Sequence, residues 1–302
     1  MKTENKIALV TGATGFVGSH LLRRLIKDAW DVHSIIRPQS NLDIIRDVVE
    51  RTKIHIYDGT SKCMVQIIEK TKPSIVFHLA SLFLVNHQRH DIEPLIKSNI
   101  IFGTELVNAM ILNGRYNLVN TATSWQHYNN EDYNPVNLYA ATKQAFEAIL
   151  KYYLVSTPLK VITLKLFDTY GINDPRPKLF HLLKTVAKDQ KPLSMSPGNQ
   201  LIDIVYIDDV IDAFLIAADR LLEDKVNQYE DYALSSGEPV KLRDIVKTYE
   251  EVSGKSMPIE WNGRPYRDRE IMVPWNKGKR MQGWIPKISM YNGIKKLISS
   301  TE

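Results

Sequence analysis

Cysteine is nearly absent from this chain of 302 residues, with Cys63 the single example. One thiol cannot build an internal disulfide framework or a metal centre of the Cys type. A dominant charge is also lacking: 39 Lys and Arg stand against 34 Asp and Glu, a formal net charge of +5. The basic residues are scattered, which argues against a nucleic-acid partner and suits a ligand carrying a diphosphate. No apolar run reaches the length expected of a membrane span. The first residues lead into a strand pattern and not a signal peptide. A cytoplasmic protein without a membrane partner or a metal is therefore expected. No internal repeat or low-complexity tract is visible. The length suits one large α/β domain or two modest ones.

What is present is an alternation of strand and helix patterns. Lys6–Thr11, Val32–Ile36, Ile54–Tyr57, Ser74–Leu79, Leu118–Thr121 and Val161–Lys165 read as short buried strands. Helical patterns lie between them at Leu42–Glu50, Met64–Thr71, Glu93–Asn113 and Leu138–Ser156. Such alternation predicts right-handed βαβ units and a doubly wound parallel sheet of the Rossmann type. After Gly171 the character changes. Asn173-Asp-Pro-Arg-Pro177 breaks the rhythm, and helices such as Asp208–Leu222 and Lys241–Ser253 sit among short strands.

The first strand runs into Gly12-Ala-Thr-Gly15-Phe-Val-Gly18 and then an amphipathic helix pattern. Strand, glycine turn and helix form the context that a dinucleotide fingerprint requires. Gly12 would allow a tight turn, Gly15 a close approach of backbone to pyrophosphate, and Gly18 close helix packing. The helix N-terminus, with Thr14, Phe16 and Val17 around it, would offer free N–H groups and a positive dipole end.

Further on, Tyr139-Ala-Ala-Thr-Lys143 places a phenol and an ammonium on one face of a predicted helix. A nearby cation favours the phenolate and brings a tyrosine toward a working acid/base range. The spacing alone is weak, because an exposed helix face often carries such a pair. The glycine loop upstream gives it weight.

The G-x-x-G-x-x-G spacing together with Tyr139 and Lys143 resembles the extended branch of the short-chain dehydrogenase/reductase superfamily, which acts on nucleotide-linked sugars. The resemblance implies an NADP-binding Rossmann domain over residues 1–170. Over 171–302 it implies a smaller, interleaved α/β region that binds the nucleotide-sugar substrate. It implies a homodimer through the helices at Glu93–Asn113 and Leu138–Ser156. It also assigns roles. Ser124 falls on the catalytic hydroxyl position, with Thr123 the alternative one residue earlier. Tyr139 becomes the general acid, and Lys143 lowers its pKa and holds the nicotinamide ribose. Asp58 stands near the adenine, Leu79, Ala80 and Ser81 beside the ribose and nicotinamide, and Asn99 beside the sheet. Trp125, Gln126, Asp168 and Lys178 fall on the substrate side. Arg267 matches a diphosphate ligand in an "R-D-x-E-I-M" segment, with Arg269 as a possible helper. A second diphosphate arginine of the family is Ile202 here.

The second strand ends Ile36-Arg37, where NAD-specific proteins carry an acid for the ribose 2′-hydroxyl. An arginine there would bind a 2′-phosphate, with hydrogen bonds from Ser40 and Asn41. NADPH is the expected cofactor and NAD the alternative. The family's dehydratases carry Asp-Glu after the catalytic hydroxyl, whereas this chain reads Trp125-Gln126. Its 3,5-epimerising reductases use a cysteine and a histidine, and Cys63 lies on the wrong segment. The expected activity is reduction of a C4 ketone on a CDP- or dTDP-linked 6-deoxyhexose, as in the abequose, paratose and D-fucose type. An NAD-retaining C4 epimerase and a non-catalytic NADP-binding regulator are the rivals.

Overall fold

A computed structural model describes residues 6–299. Its elements run β1 (Ile7–Thr11), α1 (Phe16–Lys27), β2 (Asp31–Ile36), β3 (Lys53–Ile56), α2 (Ser61–Thr71) and β4 (Ile75–His78). Then come α3 (Ile92–Ile96), a π-helical turn over Lys97–Ile101, α4 (Phe102–Leu112), β5 (Asn117–Thr123), α5 (Leu138–Ser156) and β6 (Lys160–Leu166). The remainder is β7 (Asp168–Tyr170), α6 (Leu179–Asp189), β8 (Leu193–Met195), β9 (Leu201–Ile202), β10 (Ile204–Tyr206), α7 (Ile207–Leu222), β11 (Tyr229–Leu234), β12 (Val240–Lys241), α8 (Leu242–Ser253), β13 (Ile259–Trp261) and α9 (Met290–Ser299). Contacts divide the chain into two compact units. The first holds residues up to Thr123, Asn137–Lys165 and Ile211–Tyr232. The second holds Ser124–Val136, Leu166–Val210 and Ala233 onward.

The first unit is built on a parallel seven-stranded sheet in the order β11-β6-β5-β4-β1-β2-β3, the Rossmann-type α/β fold expected. β1 pairs with both β2 and β4, so the order reverses between β1 and β4. Ligand crevices in open α/β sheets open at such a switch point, beyond the strand C-termini. Side chains alternate between the two faces of the sheet. On β4, Val76 joins a core cluster with α2, α4 and α5 through Met64, Ile68, Leu106, Met110, Phe146 and Leu150. Phe77 points the other way, against Trp30 and Phe214 of α7. Truncating a fully buried Phe of this kind costs about 3–5 kcal/mol.

Three expectations need correction. Leu42–Glu50 is not one helix but two short 3₁₀ turns, Asp43–Ile45 and Val49–Arg51. Asn41 Oδ1 accepts from Asp43 N and starts a turn there. Ile45 and Val48 are buried at a three-residue spacing, the period of a 3₁₀ helix. The helix expected over Glu93–Asn113 is interrupted by the π turn, which carries the buried Asn99. Finally, Arg89–Leu112 is long and apolar enough, by length and composition, to cross a membrane. Its apolar character has a packing cause, since Leu95, Leu106, Val107 and Met110 are fully buried.

The second unit carries smaller pairings. β7 pairs in parallel with β10, β8 in parallel with β13, and β9 antiparallel to β12. Asp209 pins its C-terminal segment. The carboxylate accepts from the amides of Lys287 and Ile288, each at 3.0 Å. The Asp209 carbonyl accepts from Trp284 Nε1 at 2.7 Å. The segment Gly283-Trp284-Ile-Pro286 is thus a structural clasp, with Trp284 buried.

Candidate active site

In the first unit the loop after β1 meets the end of β4. Gly12 has φ +75°, and a Cβ on it would lie 2.7 Å from the Ala80 amide nitrogen. A Cβ on Gly18 would collide with the Gly12 carbonyl. Both positions therefore need glycine for close backbone approach. Thr11 Oγ1 accepts from the Ala80 amide and bonds His78 Nδ1 at 2.9 Å, which ties the loop to Leu79–Ser81. Gly15 is exposed, Thr14 and Val17 are half-buried, and Phe16 and Gly18 are buried. Gly15 caps α1 without a side-chain cap, and no acidic residue stands in the first turn. The opening N–H groups of α1 are thus arranged for an anion.

Arg37 leaves the end of β2 exposed. Its amide donates to Ser40 Oγ at 3.0 Å, so Ser40 shapes the turn that presents the guanidinium. Asp58 is also exposed, but its carboxylate accepts from both the amide and the hydroxyl of Thr60. Those bonds hold it below the usual carboxylate range.

Asn99 occupies the π turn, buried, with its amide fully engaged. Oδ1 accepts from the Leu82 amide and the Ser81 hydroxyl, and Nδ2 donates to the Leu82 carbonyl and Thr142 Oγ1. It acts as a clamp between the loop after β4 and helix α5. Asn137 makes a second clamp. It caps α5 by accepting from the Ala140 amide and donates to the carbonyls of Leu84 and Val85. These two residues fix the first turn of α5, which presents Tyr139. The Tyr139 ring meets Phe83 edge-on at 4.9 Å.

Lys143, one turn further, is buried, and its Nζ donates to the Thr121 carbonyl at 2.9 Å. Burial pushes its pKa down, the Glu147 carboxylate pulls it up, and the result is about 8. Lys143 is therefore still a cation at neutral pH. His78 is driven down to about 3 by burial and then by the Lys143 charge, so it stays neutral. Beside Lys143, Thr121 Oγ1 is buried without a hydrogen-bond partner. A glycine cradle, an uncapped helix start and the orphaned Thr121 hydroxyl fit a dinucleotide. Thr123, the last residue of β5, is buried in the same unit.

The second unit holds the remaining expected groups. Ser124 opens a 3₁₀ turn, Ser124–Gln126, and is buried, as is Gln126. The segment folds back on itself. The Asn134 amide donates to the Gln126 carbonyl, the Val136 amide to the Trp125 carbonyl, and the Tyr128 amide to the Asn134 carbonyl. His127 stacks on Trp275 at 3.8 Å, and Trp275 lies parallel to Phe167 at 6.4 Å. His127 Nδ1 bonds the Glu131 carbonyl at 3.0 Å, so that nitrogen carries the proton. Asp168 pairs with Lys178 at 3.4 Å. Arg267 is exposed and pairs with Glu270 at 3.3 Å. Arg269 lies over the Tyr128 ring at 4.3 Å and donates to Asn134 Oδ1. A stacked, hydrogen-bonded guanidinium is preorganised for an anion.

The stack of His127, Trp275 and Phe167 and the anchoring of Arg269 were not apparent from sequence. Their partners lie more than a hundred positions apart, so local pattern cannot join them. The one available signal was the density of aromatic and basic residues between Trp261 and Trp284.

A family model described as the NAD dependent epimerase/dehydratase family matches residues 8–233. A CDP-abequose synthase from Salmonella muenchen is 26% identical over 302 residues, covering 99% of each chain. Among solved structures, a Thermotoga maritima UDP-glucose 4-epimerase with UDP-glucose aligns with a TM-score of 0.86, at 22% identity over 98% of each chain. A Thermus thermophilus UDP-glucose 4-epimerase in complex with NAD aligns at 0.80 and 22% identity, over 97% of this chain and 98% of that one.

Proposed function

This chain belongs to the NAD dependent epimerase/dehydratase family, and from that premise we propose that it reduces the C4 ketone of a CDP- or dTDP-linked 4-keto-6-deoxyhexose with NADPH. The observation that carries this reading is Arg37. An exposed guanidinium, and no carboxylate, ends β2, which favours a 2′-phosphate. A net reduction needs a cofactor that exchanges at every turnover, and NADPH is the usual reductant of that kind. The full-length likeness to a CDP-abequose synthase supports the substrate class.

In this reading the dinucleotide, when bound, supplies the hydride. Tyr139 donates the proton to the ketone oxygen as charge develops there. Lys143, cationic at neutral pH, stabilises the phenolate left behind. Ser124, which opens the second unit, offers a buried hydroxyl as a hydrogen-bond donor to the sugar. Gln126 and Trp125 offer no acid/base pair for elimination. Arg269, anchored by Tyr128 and Asn134, takes the diphosphate with Arg267 beside it in sequence.

The rival is an NAD-retaining C4 epimerase, which the likeness to two UDP-glucose 4-epimerase structures keeps in view. NADPH oxidation against a panel of CDP-, dTDP-, UDP- and GDP-linked 4-keto sugars separates the two. Stoichiometric NADPH loss with a CDP- or dTDP-linked sugar is expected. NAD that stays bound through purification, with no NADPH consumption by any sugar, would favour the epimerase.

A further inference from the structure

The proposed chemistry leaves a buried group of charges in the first unit unused. Glu147 lies one helical turn beyond Lys143 on the same face of α5. Lys165 Nζ, on β6, sits 3.8 Å from Glu147 Oε2 and 3.6 Å from Asp231 Oδ2 on β11. The side chains of Glu147 and Lys165 are only 9% and 7% exposed, while Asp231 is 34% exposed. Burying such groups is unfavourable unless they compensate one another. The four formal charges of Lys143, Glu147, Lys165 and Asp231 cancel. Lys165 is shared between Asp231 and Glu147, and Glu147 is the carboxylate of this group that lies on the Lys143 face of α5.

We propose that Glu147 is a positioning residue that keeps Lys143 an ammonium at working pH, and that Lys165, shared between Glu147 and Asp231, tempers the Glu147 charge. This rests on the reading of Tyr139 and Lys143 as the proton-donating pair. Without a counter-charge, burial would drive Lys143 toward the neutral amine. A neutral amine would no longer stabilise the phenolate of Tyr139. The Glu147 field is the opposing influence that holds Lys143 at about 8. The other titratable groups around it do not supply that field. His78, on β4, is held neutral by burial. Tyr229, on β11, is pushed up by burial and by Glu147 and Asp231, so it too is neutral.

The test reads the titration of Lys143 itself, which does not depend on any substrate. Competitive acetylation with acetic anhydride across pH, followed by peptide mass spectrometry, gives the midpoint of Lys143 in the full chain. Glu147→Gln moves that midpoint about one pH unit or more toward acid. Lys165→Met, which removes a cation from beside Glu147, moves it toward alkali. Thermal unfolding identifies which variants keep the native fold, and either folded variant decides. A folded Glu147→Gln protein with the wild-type midpoint, or a folded Lys165→Met protein whose midpoint moves toward acid, overturns the proposal. NADPH and NADH binding is followed in parallel by fluorescence. Shifted midpoints in a protein that binds neither cofactor would leave the charge coupling standing and defeat the functional reading instead.

Discussion

Arg37 and Lys143 are opposite uses of a cation. Arg37 is exposed at the end of β2, where its charge can meet a ligand at little desolvation cost. Lys143 is buried, and the Glu147 carboxylate opposes the effect of burial on its charge. Replacing Arg37 by Asp should remove a charge-assisted contact worth roughly 1.5–3 kcal/mol and add repulsion. NADPH binding should weaken by at least about tenfold, while NADH binding changes little. Fluorescence titration with both cofactors checks this, and equal losses would sink the NADPH assignment. The glycine loop and the helix that carries Tyr139 and Lys143 were legible because each depends on spacing along one segment. Arg269 was only half legible. Its charge is visible in the sequence, but its seat on Tyr128 and Asn134 depends on chain folding.

At the scale of elements, helix α5 occupies Leu138–Ser156 as the pattern predicted. The reason is local: Asn137 caps it and an apolar face runs along it. Asn137 also holds the loop after β4 through Leu84 and Val85. Asn137→Ala should therefore cost about 1–2 kcal/mol, seen as a melting temperature several degrees lower. It should also lower kcat by loosening the turn that presents Tyr139. A variant with the wild-type melting temperature and kcat would show that the clamp is idle. Leu42–Glu50 misled for the converse reason. Two buried apolar residues three apart satisfy a 3₁₀ period as well as an α period, and Val48, at φ −129°, leaves the helical region. The π turn around Asn99 was invisible because it answers to hydrogen bonds with Ser81, Leu82 and Thr142. None of those is a neighbour in sequence.

For the whole molecule, three histidines make stability depend on pH. His33 is lowered by burial, while His55 falls to about 4 and His78 to about 3, burial being the largest cause in each. In the unfolded chain each returns to about 6.5 and binds protons first. Their contribution is fully present above about pH 6.5 and is lost as pH falls from there toward 4. The denaturation midpoint should be steady just above pH 6.5 and decline steadily below it. An unchanged midpoint between pH 6.5 and 4.5 would contradict this. Lys143 acts in another window, because its ammonium is a burden on the fold below about pH 8, relieved as pH rises toward its unfolded value. The doubly wound parallel sheet was legible from alternation, whereas the order of its strands and the place of β11 in it were not. The resemblance implied an interleaved second region, but not that Ser124–Val136 and Ile211–Tyr232 are the segments that cross over, because unit boundaries answer to contacts distant in sequence.

Net reduction at C4 leaves an isotopic record in the product. The protein is mixed with a CDP- or dTDP-linked 4-keto-6-deoxyhexose and NADPH carrying deuterium at the transferable position. Net reduction requires one deuterium at C4 of the product for each NADPH oxidised, and loss of that transfer in Tyr139→Phe. A product without deuterium, formed with no NADPH consumed, would contradict it.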